Sequence, residues 1–69
     1  MSALLPRIDR AVNDFIADEG RRPNVLIAGP QFECDLYELG LKSGQFVRGL
    51  RIIVDDAEPD FSVAYQKPR

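Results

Sequence analysis

Four carboxylates lie within six residues in the segment VDDAEPD. Such a set could offer oxygen ligands to Ca²⁺ or a carboxylate pair for acid–base catalysis. The spacing and the glycine of an EF-hand loop are absent, and acid–base work needs a desolvated carboxylate, whereas a short loop is normally wet. The pattern therefore predicts a solvated turn that also protects the sheet edge from aggregation, with weak binding of a cation or basic partner as the alternative. The four residues are Asp55, Asp56, Glu58 and Asp60.

The junction at Gly29-Pro30 could bind an anion, because it joins an apolar run to the start of what reads as a helix. Free N–H groups and the positive end of the helix dipole favour anions there. Pro30, however, removes one donor, and the phosphate-binding patterns G-x-G-x-x-G and G-x-x-x-x-G-K-[ST] are absent. Glu33 also places a carboxylate in the first turn. We interpret the junction as a structural corner, and a small regulatory or ligand-binding role is the alternative.

Cys34 is a candidate nucleophile, since a cysteine in the first turns of a helix can have a lowered pKa. The chain contains no histidine to act as its base, and the carboxylates of Glu33 and Asp35 oppose a thiolate. One cysteine without histidine also excludes an internal disulfide and the usual zinc frameworks. We therefore predict no enzyme activity, no cofactor and no metal.

Two pairs of arginines could belong to a protein interface, although such charges are ordinarily solvated. Arg21 and Arg22 precede the first apolar run, and Arg48 and Arg51 flank the second. Of these, Arg48 and Arg51 are our candidates for contact with a partner, together with Asp55 and Asp56 of the acidic run.

Size and composition bound the possible functions. The chain has 69 residues, 45% hydrophobic and 29% charged, which predicts one globular domain over residues 1–69. Eleven acidic against nine basic residues give a net charge of −2, which argues against nucleic acid as a partner. No apolar stretch approaches the ~20 residues that span a bilayer, and the N-terminus lacks the layout of a secretory signal. We expect a soluble, cytoplasmic protein that does not bind membranes.

The first element is an amphipathic helix over residues 3–18, in which Ser2 is a possible N-cap. Gly20 supplies a left-handed residue that often ends a helix, and Pro23 prevents the helix from resuming. Apolar residues recur at three- and four-residue spacings, with charged residues between them. These apolar residues are Leu5, Ile8, Val12, Phe15 and Ile16.

The remaining segments alternate between sheet and helix. NVLIAG is apolar on both faces, which predicts a central or covered strand. A second helix from Pro30 to about Gly40 carries Phe32, Leu36 and Leu39 on one face. LKSGQFVRG has no clean period and is interpreted as a loop whose phenylalanine and valine fold back onto the core. LRIIV and FSVAY read as strands that a wide acidic loop joins into a hairpin.

The predicted fold is thus α+β: a small α-β-α-β-β domain with three short strands, the N-terminal helix packed on the sheet, and a frayed tail at 66–69. The helix must lie across the sheet to cover the apolar faces of all five elements. The expected core consists of Phe15, Ile27, Leu36, Ile53 and Val63.

The segment from Arg22 to Tyr65 resembles the peripheral domain of HK97-like tailed-phage major capsid proteins. That domain has a proline-led apolar strand, a turn with proline, a short helix, a "GQ" loop, a strand that opens with glycine, and a turn with proline. The axial domain and arms of those proteins have no counterpart, so the resemblance implies a non-catalytic module that contacts other protein chains and does not imply shell building. The matching positions include Pro23, Gly29-Pro30, Phe32, Gly44-Gln45, Gly49 and Pro59.

We therefore expect a small non-catalytic protein-binding module of phage or mobile-element type, either assembly-related or modulating a host protein. The expected partner is a second copy of the chain, in a homodimer or higher oligomer. Two open edges of a three-stranded sheet invite pairing, and the apolar stripe of the first helix is more than that sheet covers. The predicted interface residues are Leu4, Leu5, Arg48, Arg51, Asp55 and Asp56.

Overall fold

The computed structural model describes residues 3–67, which form two helices and four strands in the order α-β-α-β-β-β. The predicted α+β class, with the N-terminal helix packed on the sheet, is confirmed. The prediction of three strands is wrong, because the described residues contain a fourth. The helices are α1 (Leu4–Glu19) and α2 (Pro30–Glu38), and the strands are β1 (Val25–Ala28), β2 (Phe46–Val47), β3 (Leu50–Val54) and β4 (Phe61–Ala64).

Helix α1 has the predicted amphipathic character and the predicted end. Gly20 follows it in the left-handed conformation (φ 71°), and its N–H donates to the carbonyl of Ile16. The proposed cap, Ser2, lies outside the described residues, and Ala3 offers no side-chain hydrogen bond to the first turn. The apolar stripe holds α1 on the sheet through its buried members Leu4, Ile8 and Val12.

Helix α2 starts as predicted, with Pro30 in the first turn, where its missing N–H leaves no backbone partner unsatisfied. It ends at Glu38, and the N–H groups of Gly40 and Leu41 donate to carbonyls of the last turn. Gly40 has a φ of 80°, the left-handed geometry that allows the chain to leave the helix there.

The sheet has the order β2-β3-β1-β4, with β1 in the interior as predicted. β1 runs parallel to β3 and antiparallel to β4, so Ile27 pairs with Ile53 on one side and with Ser62 on the other. The expected hairpin between the last two strands is wrong, because β1 lies between them. The acidic segment instead carries the chain from β3 across the end of β1 to the far edge.

The additional strand, β2, forms a tight hairpin with β3. Its two-residue turn consists of Arg48 (φ 52°) and Gly49 (φ 77°), the positive φ pair that a type I′ turn requires. Val47 folds back onto the core as predicted, but Phe46 is 65% exposed, and that part of the prediction is wrong. Pleating sends these adjacent side chains to opposite faces of the sheet.

Both helices pack on one face of this sheet. Their buried side chains share a cluster with alternate residues of the strands, and of the expected core only Leu36 is fully buried. Val63 packs partly against the cluster, and Phe15 is half-buried. Ile27 and Ile53 are wrong as core residues, since they occupy the alternate positions on the opposite face. The buried cluster contains Leu4, Ile8, Val12, Leu26, Ala28, Phe32, Leu36, Val47, Leu50 and Ile52.

The end of the described chain is tied to the start of β1. Asn24 donates from Nδ2 to the carbonyl of Gln66 (2.7 Å) and accepts the N–H of Gln66 at Oδ1 (2.8 Å). The segment predicted as a tail, 66–69, therefore begins with a residue that is anchored by two hydrogen bonds, and residues 68 and 69 lie outside the described residues.

Arg7 links α1 to α2 and β4. It forms an ion pair with Asp60, and its guanidinium carbon lies 5.1 Å from the ring centre of Phe61 and 5.6 Å from that of Phe32. The two rings stack on each other with their centres 4.3 Å apart. An arginine packed against two stacked rings contributes both charge and packing.

We expect Arg7→Ala to lower the free energy of unfolding by about 1–2 kcal/mol, mainly through lost contact with the two rings. Asp60→Asn should lower it by less than about 1 kcal/mol, because both partners of the ion pair are half-exposed. Urea denaturation at low and high salt checks this, since salt screens the ion pair far more than the ring contacts. Equal losses in the two variants would contradict the assignment.

Candidate functional site

The face of the sheet opposite the helices is covered by no helix or strand of the described chain. Pleating places alternate residues of all four strands on it, in two rows. The row across its centre joins Ile53, Ile27 and Ser62. The row beside it joins Phe46, Arg51, Val25 and Ala64, and we call these seven residues the open face.

The open face is apolar in its middle. Ile27 and Ile53 are only partly buried, and the ring of Phe46 is 65% exposed at the β2 edge. Val25 is buried between its neighbours on β3 and β4. Apolar side chains that the fold leaves in contact with water favour contact with another molecule.

The open face also has a charge at each end of β3. Arg51 lies at one end and makes no ion pair or hydrogen bond through its side chain with the described residues. Asp55 follows the strand at the other end, and its N–H continues the ladder by donating to the carbonyl of Ala28 (3.0 Å). Alternation along β3, continued one residue past its last residue Val54, gives the order arginine, isoleucine, aspartate on this face.

The acidic segment itself is a turn, as predicted. Oδ1 of Asp55 accepts the N–H of Ala57 (2.9 Å), and a carboxylate oxygen of Glu58 accepts the hydroxyl of Ser62 (3.4 Å). Asp60 is paired with Arg7. Within residues 3–67, no three histidine, cysteine, aspartate or glutamate side chains come together as metal ligands.

The Gly29-Pro30 corner uses its polar groups internally. The N–H of Gly29 donates to the carbonyl of Asp60 (2.8 Å), and its own carbonyl accepts the N–H of Glu33 (2.9 Å). A side-chain carbon at position 29 would lie 2.1 Å from the carbonyl oxygen of Glu58, so only glycine leaves room for the crossing segment. These contacts support the interpretation of the junction as a structural corner.

A second feature is a surface groove of about 520 Å³ between α1, the segment before β1 and the β2–β3 turn. Two arginines reach it, Arg22 and Arg48, and Nε of Arg48 lies 3.1 Å from Oδ1 of Asp9. The rest of its lining is Val12 and Asn13.

The predicted interface residues do not form one site. Arg51 belongs to the open face and Asp55 directly follows β3 at its other end, whereas Arg48 lies at the groove. Asp56 is exposed on the turn. Leu4 is only 3% exposed and Leu5 packs partly against the core, so the expected exposed stripe is wrong at Leu4.

Of the seven residues of the open face, only Arg51 was among the predicted interface residues. The missed residues include its three large, partly exposed apolar side chains, Ile27, Phe46 and Ile53. The signal that could have found them is the pair Arg48-Gly49, a two-residue connection between FV and LRIIV that permits a hairpin. A hairpin there fixes which face Phe46 occupies, and through the register with Arg51 it also assigns the face of β3.

Cys34 is exposed on α2, away from the open face. Neither helix in the described part of the chain has the length and apolar character needed to cross a membrane.

Comparisons of the chain with models of protein families, with curated proteins and with solved structures found no match. The resemblance to a capsid-protein domain therefore stays a prediction.

Proposed function

We propose that this protein is a small protein-binding module that acts through the open face, and that its partner there is a second copy of the chain. One observation supports this most directly: both helices cover the same face of the sheet, which leaves Ile27, Ile53 and Phe46 on the other. The resemblance to a capsid-protein domain of phage origin supports the same class of function, namely assembly by contacts between chains. On the single free thiol we place the protein in the cytoplasm.

The charges on the open face fit a two-fold dimer. A two-fold axis that lies between two such faces, perpendicular to β3 and over Ile53, turns each strand end for end. Arg51 of one copy then lies over Asp55 of the other, twice per dimer, while the isoleucines meet in the centre. Isologous contacts of this kind are the commonest in homo-oligomers, and aligned packing of two sheets is a common architecture.

The size of the open face limits the affinity. Four strands at a spacing of about 4.8 Å and four residues at a rise of about 3.3 Å give a flat area of about 250 Å² per copy. Stable complexes bury about 800 Å² per partner. We therefore expect a reversible dimer with a Kd of roughly 10 µM to 1 mM.

Charge reversal provides a test with an internal rescue. Arg51→Glu places two carboxylates opposite each other in both contacts, and Asp55→Arg places two guanidinium groups opposite each other, so each variant alone should weaken association by at least about tenfold. In a heterodimer of the two variants, the introduced glutamate at position 51 faces the introduced arginine at position 55. At the other contact the natural Arg51 faces the natural Asp55, so both contacts are attractive in an equimolar mixture. We expect it to form heterodimers more readily than either variant forms homodimers, measured by sedimentation velocity over a concentration series.

Arg10→Glu and Asp56→Arg are the matched controls, because they make the same charge changes outside the open face. The samples are kept reduced, or carry Cys34→Ser, so that the exposed thiol does not link chains. Asp55→Arg loses the hydrogen bond from Ala57, so melting curves must show that the variant is folded.

Two results would contradict the proposal in different ways. If the protein without substitutions keeps the mass of a single chain up to millimolar concentration, the proposed self-association is excluded. Association that both single reversals leave unchanged places the contact elsewhere on the molecule.

A further inference from the structure

We propose that the groove between Arg22 and Arg48 is a binding site for a single carboxylate, carried by an acidic side chain of a peptide. The groove lies beside the helix layer, so this site is independent of the open face and of self-association. Its volume of about 520 Å³ falls in the range of ligand pockets, about 300–1,000 Å³, and exceeds what a lone carboxylate fills.

The first observation is that the guanidinium groups are available. Arg22 forms no hydrogen bond or ion pair through its side chain with residues 3–67. Arg48 pairs with Asp9 through Nε (3.1 Å to Oδ1), whereas its two terminal nitrogens donate no hydrogen bond to the same part of the chain. Two planar groups with donors to spare suit the two oxygens of a carboxylate.

The second observation is the backbone at Arg48. Its φ of 52° lies in the left-handed region, which non-glycine residues rarely adopt. Asparagine or glycine is the residue that this position of a type I′ turn favours. Arginine at this position makes the turn less stable than asparagine or glycine would. Residues held in strained conformations cluster at functional sites. We therefore attribute the presence of arginine at this strained position to a function of its guanidinium group.

The charge of the groove selects the ligand. Arg22 and Arg48 contribute two positive charges and Asp9 one negative charge, which leaves a local excess of one. One carboxylate neutralises that excess, whereas a phosphate dianion exceeds it. The amide of Asn13 can donate a further hydrogen bond, and Val12 supplies an apolar floor for the methylene groups of a glutamate side chain.

The test is an NMR titration with three probes: a blocked Gly-Ser-Glu-Ser-Gly peptide, the same peptide with glutamine, and sodium acetate. The glutamate peptide should shift the Nε–H signals of Arg22 and Arg48 in a saturating manner, and the glutamine peptide should not. Acetate distinguishes a free carboxylate from a peptide side chain, and we expect it to bind more weakly than the glutamate peptide. Inorganic phosphate is added as a competitor.

The decisive variant is Arg48→Asn, which we expect to raise the melting temperature and to weaken binding of the glutamate peptide at least about tenfold. A merely structural role for the arginine predicts a lower melting temperature instead. Arg22→Gln should weaken binding without raising the melting temperature, and Arg10→Gln on the same helix as Asp9 should change neither.

Several outcomes overturn this proposal. Equal shifts with the glutamine peptide, tighter binding of phosphate than of the glutamate peptide, or acetate binding as tight as the peptide's each exclude the assigned ligand. Unchanged binding in Arg48→Asn and Arg22→Gln excludes the assigned site.

Discussion

Replacing Gly29 with alanine is expected to remove much of the stability of this domain. An added side-chain carbon would lie 2.1 Å from the carbonyl oxygen of Glu58 and 2.9 Å from that of Asp60. Both atoms belong to the backbone, so no side-chain rotation relieves the clash. The crossing segment would have to move away from β1, and the hydrogen bond from the N–H of Gly29 to Asp60 would be lost with it.

We expect a loss of about 3 kcal/mol or more in the free energy of unfolding, at the upper end of the range for overpacking. A 69-residue domain has roughly 3–10 kcal/mol in total, so the variant should be partly unfolded at room temperature. Urea denaturation followed by circular dichroism measures this.

Gly20→Ala is the control for Gly29→Ala. Gly20 has a positive φ, but nothing lies within 4 Å of an added carbon there. Only the strain of the left-handed backbone then acts, about 1 kcal/mol. If the two variants lose the same free energy, the close packing of the crossing segment on the corner is not what requires glycine at position 29.

The sequence predicted the structural role of the Gly29-Pro30 corner but not the reason for its glycine. The absence of phosphate-binding motifs and the proline at position 30 predicted a structural role, and the hydrogen bonds of Gly29 agree with that. The reason for the glycine was not readable, because the residues that contact it, Glu58 and Asp60, lie about thirty positions later in the chain.

The sheet order escaped sequence reasoning for a related reason. Consecutive strands usually lie side by side, so β3 and β4 were expected to form a hairpin. Nothing in the acidic segment shows that it crosses the end of β1. The two-residue strand β2 was missed because two residues are too few to show an alternating pattern, although Arg48-Gly49 fits a tight turn.

The two helices, by contrast, were predictable almost to their ends. Their apolar residues recur with the period of a helix, Gly20 stops α1, and Pro30 starts α2. These signals are local, since caps and periodicity act within a few residues. The features that make the candidate sites, the open face and the groove, depend mainly on contacts between distant segments, and local patterns encode only a part of them.

One clue to the faces of β3 was nevertheless present. In LRIIV the set containing Ile52 is wholly apolar, while the set containing Ile53 also contains Arg51. A charged member indicates the face that meets water. The expected core included Ile53, and the structure instead buries Ile52 at 1% exposure.

This pair of adjacent isoleucines gives the second large prediction. Ile52→Ala should lower the free energy of unfolding by about 2–5 kcal/mol, because it opens a cavity in the buried cluster beneath the helices. Ile53→Ala removes the same atoms from the open face, where the side chain is already partly hydrated, and should lower it by about 1 kcal/mol or less.

Each variant serves as the control for the other, since the residue type, the strand and the atoms removed are the same. Urea denaturation should be performed at low micromolar concentration, where the proposed dimer is dissociated and the two losses refer to single chains. At high concentration, where the proposed dimer forms, Ile53→Ala should have the larger effect on association. It should weaken the dimer, because Ile53 lies on the proposed two-fold axis. Ile52→Ala, where still folded, should not. Equal losses of unfolding free energy would contradict the assignment of the two faces, whereas a dimer that tolerates Ile53→Ala would leave the fold intact and exclude the open face as the contact.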